Sequence, residues 1–469
     1  MKQALKLHVW IGVLALAWAG SGCATATKLA GVTEDHTVRL VTRPVSAPAE
    51  LAWRVRTFGV FSAGRAQVRY RRFPRLARQL PPPALDPFDL VPENPAVARV
   101  IARYGESPVP GNVTFRIGGE AVFPPLEAHL AAATNRIDIQ TYIFDNDAYA
   151  LAFADLLRER GAAGTDVRIL LDPIGTRNAW TVHPAGAPDP PRGRGFNTVR
   201  YLRRGDGVRV RRTPNVWLSS DHVKFITIDG HVAYLGGMNI GWEYRYDWRD
   251  MMSELSGPVV RELEAYFDSA WRRAGWLGEF ELLSRLWRPP LEHVADPEHA
   301  DLHFLVTTPW RHRYFQAILA SIDAATHRVY VETPYLWNQQ IQLALCKARH
   351  RGVDVRVVVP METNVALARG ADRMTANTLL RHGVRVFLYP GMTHKKATLI
   401  DDWAFWGSAN KDDLSLHKNM ELNLATDHGP TVAELESILL EGQDTATEVL
   451  DFIPTGTWDR LSRRLTNLL

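Results

Sequence analysis

Two hydrophobic patterns alternate along most of this chain. Short runs rich in β-branched residues, such as RIDIQTYIF (136–144) and DVRILLD (166–172), predict buried strands. Apolar stripes at helical spacing predict helices in PPLEAHLAAA (124–133), AYALAFADLLRERG (148–161) and PVVRELEAYFDSAWRRAG (258–275). Strands and helices that alternate in this way predict an α/β fold with largely parallel or mixed sheets.

The same order of segments occurs a second time from about Leu302. NRIDIQTYIFDND (135–147) matches HRVYVETPYLWNQ (327–339), and GTDVRILLDPIGT (164–176) matches GVDVRVVVPMETN (352–364). Because several flanking segments recur in one order, we infer an internal duplication. We expect two homologous α/β sandwich halves that pack about a pseudo-twofold axis and share one active site.

Each half carries one copy of a reactive pattern, which reads His-x-Lys and then Asp after four more residues. Its six members are His222, Lys224, Asp229, His394, Lys396 and Asp401. Residues two apart on a strand project from one face, so an imidazole and an ammonium lie side by side, which suits an anionic phosphoryl group. All six form the predicted catalytic motif, but the two Asp residues fall where the strand must turn. We therefore interpret these two as structural rather than chemical.

Further residues recur after the motif in matching order. Each half has an Asn, Asn239 or Asn410, and then a carboxylate, Asp250 or Glu421. A carboxylate bonded to one ring nitrogen fixes the tautomer and the orientation of a His. We predict this role for Asp250 and Glu421, with an ordinary solvated acid as the alternative.

The paired motifs resemble the signature of the phospholipase D superfamily, H-x-K-x4-D, which occurs twice per active site. The sequence around the motifs is most similar to the bacterial cardiolipin synthase branch, as in GGMNIGWEY (236–244), LYPGMTHKKATLIDD (388–402) and GSANKDDLSLHKNMELN (407–423). The resemblance covers roughly Asn112 to the C-terminus. It implies a phospholipase D-type fold for each half and a two-step phosphodiester exchange that uses no metal and no cofactor.

The resemblance also implies a role for each site residue. His222 would become covalently linked to the phosphoryl group, while His394 would protonate the leaving alcohol and then activate the incoming water or alcohol. Both motif lysines and both asparagines would hold phosphate oxygens, assisted by Ser408. The sequence departs from the family at Lys395, which we expect to face away from the site, and at Leu414, which replaces an Arg and removes one contact near the second half-site.

The N-terminus has the pattern of a bacterial lipoprotein signal. Lys2 and Lys6 precede an apolar stretch that is short for a membrane span, and small residues and Cys23 follow. We predict a signal segment over residues 1–23 and lipidation of Cys23, which would anchor the protein in the cell envelope, facing the periplasm. Ala24, rather than an acidic residue, favours the outer membrane. A plain signal peptide and an uncleaved anchor are the alternatives.

Residues 24–111 predict a basic, Pro-rich leader before the two halves, which we place at 112–295 and 296–469. Many Arg residues precede the extended segment LPPPALDPFDLVPENP (80–95). The leader either lies on anionic headgroups or packs partly on the catalytic body.

Composition is that of a large globular protein and agrees with an enzyme. A chain of 469 residues with 46% hydrophobic residues can bury extensive cores, and its net charge of +4 fits an anionic lipid or a nucleic acid. Cys346, within a predicted helix, is interpreted as a core residue. No Cys/His cluster has zinc spacing, and no P-loop or dinucleotide fingerprint occurs. We expect a monomer.

Three functions remain open at this stage. The favoured one is phosphatidyl transfer of the cardiolipin synthase type, with phosphatidylglycerol as substrate at a membrane surface. Hydrolysis by the same site, which releases phosphatidic acid, is the first alternative, and a nuclease is the second. Two motifs in one chain and a predicted lipid anchor favour a lipid over a nucleic acid.

Overall fold

The computed structural model describes residues 91–179, 186–188, 196–214, 220–275, 299–361, 363 and 368–466. Cys23 and the Arg-rich part of the predicted leader lie outside the described residues. The first half comprises α1 (Pro95–Tyr104), β1 (Val109–Ile117), α2 (Gly119–Ala132), β2 (Arg136–Thr141), α3 (Ala148–Ala162), β3 (Asp166–Leu171), α4 (Pro173–Ala179), α5 (Thr198–Leu202), β4 (Val208–Arg212), β5 (Phe225–Ile228), β6 (Val232–Gly236), α6 (Trp242–Tyr246), β7 (Met251–Ser256) and α7 (Pro258–Arg273).

The second half repeats most of this order, with an additional two-residue strand near its start and an additional strand and helix at its end. It comprises β8 (Ala300–Thr308), β9 (Arg311–His312), α8 (Arg313–Ala324), β10 (Arg328–Glu332), α9 (Gln339–His350), β11 (Asp354–Pro360), α10 (Ala368–Arg381), β12 (Arg385–Tyr389), β13 (Ala397–Ile400), β14 (Trp403–Gly407), α11 (Asp413–His417), β15 (Glu421–Thr426), α12 (Gly429–Thr445), β16 (Thr447–Glu448) and α13 (Thr457–Thr466).

One continuous mixed sheet joins the two halves. Its strand order is β16-β12-β11-β10-β13-β14-β15-β8-β1-β7-β6-β5-β2-β3-β4, with β9 paired to β8. Outward from the central β8–β1 pair, the corresponding strands of the two halves follow in the same order on either side. The two central strands, β1 and β8, are antiparallel. This arrangement is the predicted pseudo-twofold relation between two homologous α/β halves.

Buried strands and helices place the core on both sides of the sheet. Strands β2 and β3 pair in parallel, as do β10 and β11, and their side chains are nearly all buried. At the junction of the halves, the Phe115 and Trp406 rings meet edge to face with centroids 5.0 Å apart. Trp406 Nε1 donates a hydrogen bond to Ser253 Oγ at 2.9 Å, so the two halves share one core.

Three boundaries differ from the sequence prediction. The predicted leader extends to residue 111, but α1 already packs on the second half, where Val97 and Ile101 are fully buried. Helix α2 begins five residues before Pro124, because burial of apolar side chains in its first turns offsets the missing proline N–H. Strand β2 ends at Thr141 rather than at residue 144, and the chain that follows turns toward the active site.

Candidate active site

The two motif histidines lie where each half meets the other. His222 N donates to Met420 O at 2.9 Å, just before β15, while His394 N donates to Arg249 O at 2.8 Å, just before β7. The segment that carries each His therefore runs beside the segment that carries the later carboxylate of the opposite half.

His222 is held by the second half. Its Nδ1 lies 3.0 Å from Glu421 Oε1 and 3.1 Å from the carbonyl oxygen of Ser408. Both partners accept a hydrogen bond, so Nδ1 carries the proton and Nε2 keeps its lone pair.

His394 is held by the first half in the same way. Its Nδ1 lies 2.5 Å from Asp250 Oδ2, and the Asp250 side chain is fully buried. Sequence reasoning selected Asp250 and Glu421 for orienting roles, but it gave no sign that each carboxylate would reach the imidazole of the opposite half.

Each motif lysine contacts the backbone of the histidine two residues before it. Lys224 Nζ donates to the backbone oxygen of His222 at 2.6 Å, and Lys396 Nζ donates to that of His394 at 2.5 Å. Lys396 Nζ also lies 3.0 Å from His394 Nε2 and 4.0 Å from Asp250 Oδ2. Two buried ammonium groups thus face two buried carboxylates around the paired rings.

Burial dominates the titration of these groups. It lowers the pKa of His394 to about 3, with a further contribution from the Lys396 charge. The pKa of His222 is also lowered by burial, against the opposing effect of Glu421. Burial lowers the pKa of Lys224 to about 7 and that of Lys396 to about 8. Both imidazoles are therefore neutral at neutral pH, as a nitrogen nucleophile must be.

Asp229 and Asp401 do not join the histidines. Each has a left-handed backbone, with φ of 51° and 49°, and each occupies the turn at the far end of its strand. The Asp229 carboxylate accepts the backbone N–H groups of residues 134, 135 and 136, and Asp401 does the same with residues 326, 327 and 328. These bonds hold the pKa of both carboxyl groups below the usual range, although burial opposes them. Both residues stabilise turns, which agrees with the structural role inferred from their place at the strand ends, and among the six motif residues only the His and Lys pairs remain as candidates for the chemistry.

The predicted phosphate-binding residues fall into two classes. Asn239 and Asn410 are buried at the ends of β6 and β14, and Asn239 Oδ1 accepts a hydrogen bond from Ile143 N at 3.0 Å. Ser408 is different, because its hydroxyl donates to Glu421 Oε2 at 2.6 Å and accepts from Leu422 N at 3.0 Å. With its one hydrogen already given to Glu421, Ser408 acts on the carboxylate rather than on a phosphate oxygen.

Aromatic rings pack against both histidines. Tyr142 meets His222 edge to face at 4.8 Å, and its ring centroid lies 5.1 Å from Lys224 Nζ. Trp248 and Tyr244 lie 5.1 Å and 5.8 Å from the His394 ring. Both residues belong to the segment 241–250, and their rings pack on the site. Tyr142 gave no signal beyond its place in a repeated segment.

Lys395 and Leu414, the two departures from the family pattern, both lie in the described part of the chain. Lys395 is fully buried away from the imidazoles, with its Nζ 2.9 Å from Glu332 Oε2. Leu414 lies half-buried on the short helix α11. Cys346 is a buried free thiol in the second-half core, where burial raises its pKa to about 12.

One acidic cluster in the described part of the chain has the spacing of a cation site. The carboxylate oxygens of Asp145, Asp147 and Glu243 lie within 4.8 Å of one another. Asp147 caps α3 by accepting from Ala150 N and also accepts from Trp242 N, so the cluster has a structural purpose. It contains none of the motif residues. Among the described helices, none has the length and apolar character of a membrane span.

Comparisons with known proteins agree with this geometry. Residues 126–271 and 318–441 match the family described as "Cardiolipin synthase, PLD-like domain", which covers more than half of the chain. Cardiolipin synthase A of Pseudomonas aeruginosa is 31% identical over 389 residues, 79% of this chain and 74% of the relative. Cardiolipin synthase A of Pseudomonas entomophila is 29% identical over 398 residues, 80% of this chain and 78% of the relative.

A solved structure shares the fold. The crystal structure of phosphatidylserine synthase from Haemophilus influenzae Rd KW20 matches with a TM-score of 0.61 and 12% identity, over 80% of this chain and 100% of that chain. The two segments matched by the family, 126–271 and 318–441, lie within the two halves, and each half supplies one His-x-Lys pair. The chain therefore belongs to the cardiolipin synthase-like branch of the phospholipase D superfamily.

Proposed function

We propose that this protein is a phosphatidyltransferase that exchanges a phospholipid headgroup through a phosphohistidine, with phosphatidylglycerol as donor and acceptor and cardiolipin as product. The observation that carries the proposal is the crossed pair of buried contacts, His222 with Glu421 and His394 with Asp250. The relatives named cardiolipin synthase A support a phospholipid as the substrate.

In the first step, His222 Nε2 attacks the phosphorus atom. The N–P bond forms as the bond from phosphorus to the headgroup oxygen breaks, and His394 gives its Nε2 proton to that oxygen. Glu421 favours the positive charge that develops on the His222 ring. Lys224 and Lys396 balance the negative charge on the phosphoryl oxygens, together with the side chains of the two asparagines.

His394 must be protonated to act as the acid, although its pKa is about 3 before substrate binds. The negative phosphodiester offsets the positive charge of Lys396, which is one of the groups that lower this pKa. Substrate binding therefore favours proton uptake by the ring at the moment when the leaving oxygen needs a proton.

In the second step, an alcohol of a second phosphatidylglycerol is the acceptor. Neutral His394 takes its proton, the new O–P bond forms and the N–P bond to His222 breaks. With water in place of the alcohol, the same steps give hydrolysis to phosphatidic acid. The aromatic rings around the site favour transfer, because they limit the space for water beside the intermediate.

Incubation of the purified protein with phosphatidylglycerol vesicles, followed by mass spectrometry of the products, tests the proposal. Cardiolipin plus glycerol supports transfer, whereas phosphatidic acid alone shows a hydrolase. Cleavage of a nucleic acid without lipid turnover would exclude both lipid activities. Peptide mapping of a trapped intermediate should find the phosphoryl group on His222, and its location on His394 would reverse the assigned roles.

The proposed location is the envelope membrane, where the protein would meet its substrate through a lipidated Cys23 and the basic leader. Two acyl chains on one Cys hold a protein stably on a bilayer. Mass spectrometry of the mature N-terminus tests this, and an unmodified Cys23 in membrane-extracted protein would contradict it.

A further inference from the structure

The two half-sites differ at one buried position next to the matching asparagines of the two halves. Asn239 is followed by Ile240 in the first half, and Asn410 is followed by Lys411 in the second. Lys411 is buried, with 1% of its surface exposed, and its Nζ lies 2.6 Å from the hydroxyl of Tyr314.

The partner of this position differs between the halves as well. Asp229 and Asp401 bind the N–H groups of Thr134 and Thr326, which fixes these two threonines as equivalent. Twelve residues before each threonine the halves carry Val122 and Tyr314. An apolar pair, Val122 with Ile240, thus corresponds to a polar pair, Tyr314 with Lys411.

The exchange changes the surroundings of the motif lysine. In the first half, a cavity beside Lys224 is lined by Val122 and Ile240, among other largely apolar residues. The polar pair occupies the corresponding place in the second half. The Lys411 charge interacts there with those of Lys396, Glu421 and Asp412.

Burial of an ammonium group is costly, and a single bond to a phenol does not replace its hydration. Consistent with this cost, burial lowers the pKa of Lys411 to about 7, assisted by Lys396 and opposed by Glu421 and Asp412. The first half fills the same position without a charge, so the fold itself does not require the lysine. A gain outside folding accounts better for its presence.

We propose that Lys411, held by Tyr314, is a positioning residue that acts through Lys396 and gives the second half-site the stronger attraction for anionic phosphoryl oxygens. The inference rests on the proposed phosphoryl-transfer function. Its consequence is a division of labour within a pseudosymmetric site. The half that protonates the leaving alcohol holds the phosphate oxygens more tightly than the half that supplies the nucleophile.

Lys411→Met tests the charge at nearly constant side-chain length, and Tyr314→Phe tests the hydroxyl that holds it. Lys347→Met, at an exposed lysine on α9, is the control for a loss of one positive charge. The measurements are kcat and KM with phosphatidylglycerol vesicles, the inhibition constant of inorganic phosphate, its dissociation constant by calorimetry, and Tm.

For Lys411→Met we expect kcat to fall about tenfold or more and phosphate to bind about tenfold more weakly. Tm should be retained or raised, because an apolar side chain replaces a buried charge. Tyr314→Phe should change kcat and phosphate binding in the same direction but less, and the control should match the wild type.

Unchanged kcat and phosphate binding in Lys411→Met, whatever its Tm, would overturn the proposal, as would a wild-type protein that does not bind phosphate. The calorimetric measurement needs no lipid turnover. Weaker phosphate binding by Lys411→Met in a protein without lipid activity would therefore reject the proposed function and keep the inference.

Discussion

Replacing Asp250 with Asn tests the crossed contact most directly. The Asp250 carboxylate is fully buried, and its Oδ2 lies 2.5 Å from His394 Nδ1 and 4.0 Å from Lys396 Nζ. An amide keeps the shape but loses the charge, and its NH2 group can turn toward Nδ1 and stabilise the wrong tautomer.

Two effects set the size of the expected loss. An Asp→Asn change at a carboxylate that orients a catalytic His costs about 10⁴-fold in rate in serine proteases. Separately, unit charges 4.0 Å apart interact by about 4 kcal/mol at an effective dielectric constant of about 20. We therefore expect kcat for Asp250→Asn to fall by about 10³- to 10⁴-fold, or ~4–5 kcal/mol in the activation free energy.

The assay is the steady-state rate of product formation from phosphatidylglycerol vesicles across pH, with circular dichroism and Tm as folding controls. Asp166→Asn is the matched control, because its carboxylate is 44% exposed and pairs with Arg209 on the surface. Removal of the Asp250 charge also lowers the pKa of Lys396, so the alkaline limb of the residual activity should move to lower pH. A folded Asp250→Asn protein with kcat within threefold of the wild type and an unmoved alkaline limb would refute the orienting role.

Three further predictions follow from the same geometry. His222→Ala and His394→Ala should each abolish turnover in the vesicle assay, and substantial activity in either variant would contradict a shared two-histidine mechanism. Wild-type activity should fall as pH rises through about 7 to 8, where Lys224 and Lys396 lose their protons. The folded protein binds fewer protons at these lysines than the unfolded chain does, so they make stability rise with pH over this range, and alkaline inactivation should precede any loss of the circular dichroism signal. Asp401→Ala should lower the free energy of unfolding by about 3 kcal/mol or more, because three backbone N–H groups lose their acceptor, while the folded fraction measured by denaturant titration keeps its specific activity; loss of activity in fully folded protein would instead give Asp401 a chemical role.

Much of the fold and the membership of the site could be predicted from sequence, because both are encoded locally and twice. The repeated strands at residues 136–141 and 328–332 are short runs that contain several β-branched residues, and a duplicated His-x-Lys is too specific to arise by chance. The turn role of Asp229 and Asp401 was also accessible, since Asp next to a strand end commonly binds backbone N–H groups.

The contacts between the halves could not be predicted, because their partners are far apart in sequence. Nothing in the spacing of Glu421 from His394 shows that it reaches His222. The difference between Lys411 and Ile240 can be read from the sequence, but the burial of both side chains beside the site becomes visible only in the fold. The helix boundary near Pro124 was mispredicted for a related reason: tertiary burial outweighed the usual preference of proline for the first turn.

The crossed contacts also limit how such a chain can change over time. Each imidazole depends on a partner 144 or 199 positions away, in the opposite copy of the duplicated unit. A residue substituted at position 250 must therefore still be compatible with His394, and one substituted at position 421 must still be compatible with His222. Neither copy can therefore acquire a separate function while the shared site is kept. Two fragments obtained by cutting the chain between residues 276 and 298 should be inactive when separate and should regain activity only when they reassociate.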